Sequence, residues 1–374
     1  MRKSKFTKGI TTLAITAAMT MSAASAGAAS SSTSDLLGSK PAGSDKFQFS
    51  DIQFLTGNTG RVAGNGFMIG TSDFGNDWQS IYTGTWQFTQ LDFINNTTGW
   101  MLAKSALNGP NALLYTKDGG STLTKIKTGS MHLERISFKN ENMGFGYSKA
   151  FTYSTTDGGQ TWTKMKTPAN TRYAEFSDQK NGYALVVVPG YGYKIHKTTD
   201  GGKNWRSVLS VPSESISGGE IAVERNQVWA RLNSGAGMSQ QSYALYSSQN
   251  DGENWTKVIS QNTAGGGKAP GNSAGIVNEG PASPGGHPGN LSIAQGIVYL
   301  GGFSPAGEKI GVGKSANGGK TWTNLPSITG FENDIDFING KIGWMADTSS
   351  EGAIYLTKDG GKTWTSKLKI NKQH

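Results

Sequence analysis

The stretch TTDGGQTW, residues 155–162, puts an acid, two glycines, three threonines and a tryptophan within eight residues. A lone aspartate in such a loop suits catalysis, metal binding or a structural turn, and repetition separates these readings. The pattern recurs: TSDFGNDW at 71–78, TKDGGSTL at 116–123, TTDGGKNW at 198–205, SQNDGENW at 248–255, SANGGKTW at 315–322 and TKDGGKTW at 357–364. In all seven copies a Ser or Thr opens the box, Asp or Asn stands third, Gly fifth, and Trp or Leu last. The last residues are spaced by 45, 39, 43, 50, 67 and 42 positions. A period of about 40–45 residues is that of one four-stranded unit, and only the step of 67 departs from it.

A second signature keeps the same phase. Phe54, Phe93, Phe138, Phe176 and Phe337 are each followed six residues later by Gly60, Gly99, Gly144, Gly182 and Gly343. Trp100, Phe145, Tyr183 and Trp344 come next in four of the five, and Arg61 in the other. The second unit reads most clearly as four strands: QLDFI (90–94), GWMLA (99–103), ALLYTK (112–117) and LTKIKT (123–128). The box lies in the tight turn between the third and fourth strands. Glycine supplies the positive φ such turns need, and the Asp or Asn side chain accepts backbone N–H groups to fix them. The tryptophan packs back across the sheet.

Asp73, Asp118, Asp157, Asp200 and Asp359 carry the acid, but Asn250 and Asn317 replace it. Asparagine serves a turn and would serve poorly as a catalytic acid or metal ligand, so the box is read as structural. Trp78, Trp162, Trp205, Trp255, Trp322 and Trp364 close six copies and Leu123 the seventh.

These copies resemble the Asp-box, or BNR, repeat of β-propellers. The added Phe-x5-Gly-aromatic spacing resembles the photosystem II assembly and stability factor branch, over about residues 47–368. The resemblance implies an all-β, seven-bladed β-propeller of four-stranded antiparallel blades, at about 46–86, 87–129, 130–170, 171–213, 214–288, 289–328 and 329–370. Ring closure is then expected from packing of the last blade on the first. The box is a specific sign of fold and a poor sign of function, since sialidases, xyloglucan-type glucanases and sortilin-type receptors also carry it.

The composition agrees: 53 glycines, 10% aromatic residues and only 16% charged residues suit a turn-rich β-protein. Arg2, Lys3, Lys5 and Lys8, an Ala-rich apolar run and small residues at Ala26–Ala28 predict a cleaved signal peptide over 1–28. A Ser/Gly/Ala-rich flexible leader is expected over 29–45. The chain is therefore expected to be secreted, extracellular or associated with the cell wall. With no Cys there is neither disulfide nor thiol-linked lipid anchor. No later stretch has the length of a transmembrane span. Removing the four cations of the leader from a formal charge of +9 leaves about +5, and no nucleic-acid motif is present.

Propeller ligands usually meet the face formed by the loops joining units and by the second-to-third-strand loops. The box turns lie on the other face. The long step places an overlong connection at 260–290 on the binding face, with Gly and Pro content that predicts disorder over a lid. Binding candidates on that face are Trp86, Arg135, Arg172, Tyr191, Tyr193 and Phe331. Arg135 and Arg172 form a basic spot for an acidic partner, or a solvated pair balanced by Glu134 and Glu175.

A sialidase needs an arginine cluster and a Tyr–Glu pair, and the six arginines after the leader are scattered. A xyloglucanase-like hydrolase needs facing carboxylates. Asp51 and Asp334, on neighbouring units across the closure, are the one catalytic pair offered. The four histidines stand apart and no Cys exists, so no metal and no cofactor is expected. The leading reading is a monomeric, non-catalytic scaffold or assembly factor that binds a protein. A glycan-active protein, either a hydrolase or a carbohydrate-binding module with cell-wall glycan as partner, is the alternative.

Overall fold

A computed structural model describes residues 36–38, 46–106, 108–272 and 286–370. The signal peptide and most of the expected leader lie outside them, as do residues 273–285 of the long connection. All strand pairings among the described residues are antiparallel, and each strand but one, the short Ile328–Thr329, pairs with its neighbour in sequence.

The first sheet has six strands: Phe49–Phe54 (β1), Gly60–Thr71 (β2), Gln79–Phe93 (β3), Gly99–Lys104 (β4), Asn111–Thr116 (β5) and Thr124–Ile126 (β6). The next holds Arg135–Phe138 (β7), Gly144–Tyr147 (β8), Thr152–Thr155 (β9) and Thr163–Met165 (β10). Thr171–Phe176 (β11), Gly182–Val188 (β12), Gly192–Thr198 (β13) and Arg206–Pro212 (β14) form the third. The fourth comprises Gly219–Glu224 (β15), Gln227–Ala236 (β16), Gln241–Ser248 (β17) and Thr256–Gln261 (β18). His287–Ala294 (β19), Ile297–Ser304 (β20), Lys309–Ser315 (β21) and Thr323–Asn324 (β22) form the fifth, with Ile328–Thr329 (β23) also paired to β21. Asn333–Phe337 (β24), Gly343–Asp347 (β25), Ala353–Thr357 (β26) and Thr365–Lys369 (β27) form the last.

Among the described residues the sheets therefore number six, where the sequence predicts seven blades. The first two repeats share one sheet because β2 and β3 each pair with two different neighbours along their two halves. β2 pairs with β1 through Gly60–Gly64 and with β3 through Asn65–Gly70, and Gly66 at φ 92° takes the bend between. β3 pairs with β2 up to Gln87 and with β4 from there on.

The Phe-x5-Gly spacing has a packing cause. In each instance the glycine sits opposite its phenylalanine at the end of the pair, as Phe93 does Gly99. A Cβ on Gly99 would lie 2.4 Å from the Phe93 ring, and the other four glycines are equally tight. In three of the four the aromatic after the glycine then stacks on the phenylalanine of the following repeat, while the Tyr183 hydroxyl donates to Asp251. Trp100 lies 3.8 Å from Phe138, Phe145 4.9 Å from Phe176, and Trp344 3.9 Å from Phe54, centroid to centroid. Arg61, the exception, does the same work with a cation. Its guanidinium lies 4.1 Å from the Phe93 centroid and Nε donates to Gly119 O, as Trp100 Nε1 donates to Gly158 O.

The last of these stacks closes the ring by side-chain packing, with Phe54 N also donating to Asp336 Oδ2 at 2.7 Å. Leu36 and Leu37, expected within a flexible leader, are instead buried in the core shared by the first and last sheets. They are the large aliphatic residues of an otherwise small and polar segment, so their burial is favourable.

Candidate functional site

The box turns are the same in all seven repeats. The opening hydroxyl donates to the Asp or Asn Oδ1 and accepts the backbone N–H of the fifth residue, as Thr155 does with Asp157 and Gly159. The same Oδ1 accepts the N–H four residues on, 2.9 Å from Thr161 N to Asp157 and 2.9 Å from Asn254 N to Asn250. Only an amide or carboxylate oxygen is needed, so Asn substitutes for Asp. The Thr161 hydroxyl and the turn N–H groups hold the Asp157 carboxyl down at about 2. Trp162, Trp205 and Trp255 each donate from Nε1 to the carbonyl of the glycine that is the fifth box residue.

The inner strands lace each repeat to the next. Gln90 Oε1 accepts Ile136 N and its Nε2 donates to Ile136 O. Asp92 Oδ2 accepts Phe138 N, and Asn290 spans Ile335 N and O. Asp51 and Asp334 belong to this lacing. Leu91 N donates to Asp51 Oδ2 at 2.6 Å, and Asp334 accepts from the Ile52 backbone. The two carboxyls do meet across the closure, in direct hydrogen bond with each other. That contact leaves no gap of the roughly 5–10 Å that glycoside hydrolysis needs between its carboxyls. Burial raises Asp51 to about 7, and burial with the neighbouring Asp51 and Asp336 charges lifts Asp334 well above its ordinary value, so the pair holds a shared proton.

Arg135 and Arg172 do come together, in a cleft of about 430 Å³ between the third and fourth repeats. Arg135, on β7, is wedged between Tyr147 of β8 and Tyr173 of β11, with its guanidinium carbon 3.9 and 4.1 Å from the two ring centroids. It donates to Glu175 at 2.6 Å and to the Ala174 carbonyl. Burial opposes its charge, but the tyrosines and Glu175 outweigh burial and raise its pKa above the ordinary value. Arg135 is thus a fixed wall of the cleft. Arg172 is exposed and, among the described residues, in no ion pair. Lys149 and Phe151, the latter 44% exposed, line the same cleft.

The other binding candidates lie elsewhere. Tyr193 is fully buried and its hydroxyl donates to the Gly218 and Asn233 carbonyls, which corrects its assignment to the surface. Tyr191 is exposed on the adjoining turn. Gly192, at φ 140°, redirects the chain between the two. Trp86 packs in the core of the first sheet beside Tyr82, and Phe331 is half-buried outside the cleft. Phe151 escaped the sequence reading, and its placement two residues beyond Lys149 in the same loop was the available signal. Residues 262–272 of the long connection, expected to be disordered, are folded. Gly271 N donates to Pro212 O, Ala269 is buried, and Lys268 pairs with Glu214 at 2.6 Å. Among the described residues no His, Cys, Asp and Glu grouping suits a metal, and no helix is long and apolar enough to cross a membrane.

A family model described as photosynthesis system II assembly factor YCF48 matches residues 123–287, which include the whole cleft. The fold is similar to a solved structure described as YCF48 bound to D1 peptide, at 17% identity and TM-score 0.52, over 86% of this chain and 95% of that one. YCF48 from Cyanidioschyzon merolae matches at 16% identity and TM-score 0.55, over 85% and 97% of the two chains. A prolyl endopeptidase structure matches at 10% identity and TM-score 0.56, over 86% of this chain and 49% of that one. No protein of curated function matches. The chain is a BNR-type β-propeller resembling the photosystem II assembly factor.

Proposed function

We propose that this chain is a secreted, non-catalytic scaffold or assembly factor that seats an extended peptide in the cleft between its third and fourth repeats. The observation that carries this reading is the pairing of two unlike cations in one cleft. Arg135 is locked by two tyrosines and a glutamate, while Arg172 stands free beside exposed Phe151 and Lys149. Such a cleft offers charge for a carboxylate and an aromatic face for an apolar side chain, on a rigid wall that lowers the cost of ordering the ligand. A similar propeller solved with a peptide supports a protein partner. Secretion rests on the charged, Ala-rich N-terminus. The direct contact of Asp51 with Asp334 weighs against a hydrolase.

The test is titration of labelled peptides ending in an acidic residue and a free carboxylate, monitored by fluorescence anisotropy. Arg172→Glu is expected to weaken binding by about tenfold or more, since it places a like charge in the cleft. Undiminished binding by Arg172→Glu, or release of reducing sugar from wall glycans by the wild-type chain, would overturn the proposal.

A further inference from the structure

On the box-turn face of the same two repeats lies a second groove, of about 760 Å³. Its rim carries Lys164, Lys166, Lys180 and Lys203, all exposed. Among the described residues none has a carboxylate within ion-pair distance, whereas Lys139, Lys149, Lys197 and Lys268 each do. The one acid on the lining, Asp200, is already occupied by Asn204 N and Nδ2 and by the Thr198 hydroxyl. The excess extends beyond the groove. Residues 104–206 hold fifteen Lys and Arg against seven Asp and Glu.

The groove and the upper cleft are joined. Phe151 lines the cleft, Lys164 lines the groove, and Lys164 Nζ lies 3.1 Å from the centroid of the Phe151 ring. The link runs along β10, the edge strand of its sheet, which pairs with β9 alone. Half-buried Met143 and Met165 give the groove an apolar floor between its lysines. A strand edge with a neighbour on one side, beside alternating cations and apolar floor, suits an extended polypeptide.

We infer that an acidic extended segment of the partner protein continues from the cleft along β10 into the lysine-lined groove, so that one ligand engages both faces of the third and fourth repeats. This rests on the peptide reading of the cleft. Free lysines act as point charges without the fork that fixes one phosphate. They therefore select for net negative charge along a chain, with a strong dependence on salt.

The probe is a fluorescein-labelled peptide of alternating glutamate and valine, about twelve residues long to reach round the edge, compared with one of about six that fills the cleft alone. Both are titrated into the full chain. The triple variant Lys166→Glu/Lys180→Glu/Lys203→Glu is expected to weaken the long peptide by about 30-fold or more at roughly 0.1 M salt. The short peptide should be unaffected by it yet remain sensitive to Arg172→Glu. The matching Lys→Gln triple should give a smaller loss in the same order, and melting curves establish that both variants fold. If the long peptide is insensitive to both triples while Arg172→Glu still acts, the groove inference fails and the cleft reading stands. If no variant matters, both fail. If inorganic polyphosphate binds with the same lysine dependence and the long peptide does not bind, the groove serves a phosphate polymer and the inference is overturned.

Discussion

Two seams of this ring are made from the same repeat and differ in what fills the inner strand. Where the last repeat meets the first, carboxyl side chains occupy the inner positions, Phe54 stacks on Trp344, and the contact is closed. Where the third repeat meets the fourth, Arg135 takes the position of Asp51 and Asp334. Its bulk and its two tyrosines leave a cleft of about 430 Å³ above it. The same architecture thus gives a fastening when the inner residue is short and able to share a proton, and a site when it is long and charged.

The largest effect separating the seams should come from Trp344→Ala. It removes a fully buried indole from the closure and should cost about 3–5 kcal/mol, read as a lowered unfolding midpoint in denaturant. Binding at the distant cleft should persist wherever the variant is folded. A stability loss below about 1 kcal/mol would show that closure does not depend on this stack.

Acidity should sharpen the contrast next. Asp51 and Asp334 both have folded pKa values raised above the usual carboxyl value, Asp51 to about 7. The folded chain holds protons that the unfolded chain has released, so the contribution of the pair is full below about pH 4 and is lost as pH rises through about 7. Asp334→Asn supplies a permanent donor to Asp51 and should flatten this decline, raising Tm at pH 8 by about 2–4 °C. A variant with the wild-type pH profile would sink the reading of a proton shared between Asp51 and Asp334.

The smallest effect belongs to the box turns. Asp157→Asn keeps the Oδ1 acceptor that both Thr161 N and the Thr155 hydroxyl use, and should change stability by less than about 0.5 kcal/mol. A loss above about 1.5 kcal/mol would mean the second oxygen, which accepts the Thr161 hydroxyl, matters more than the turn.

Much of this was readable from residues because the informative features recur. The glycine six after each phenylalanine, and the aromatic after it, mark contacts made again at successive seams. Even the exception, Arg61, kept its position and only changed the chemistry of the stack. What did not recur was hidden. The continuity of β3 through Thr83, Gly84 and Thr85 joins two repeats into one sheet, although a glycine flanked by threonines reads as a turn. Tyr193 and Tyr191 look equivalent in PGYGYK, and a single positive-φ glycine sends one to the core. The basic cleft was half legible: the arginines could be placed on one face, but their unequal anchoring depends on Tyr147, Tyr173 and Glu175 meeting from two sheets.

The lacing of the inner strands runs mainly one way. Gln53 reaches Phe93, Gln90 reaches Ile136, Asn290 reaches Ile335 and Asp336 reaches Phe54, each from a repeat to the backbone of its successor, while Asn333 reaches back to Gly311 of the repeat before it. In assembly terms the ring is a head-to-tail polymer of one unit whose last member happens to meet its first. Because these side chains recognise main chain, which every repeat has, this set of bonds asks nothing of the successor's sequence, and the ring stacks beside it carry the matching between repeats.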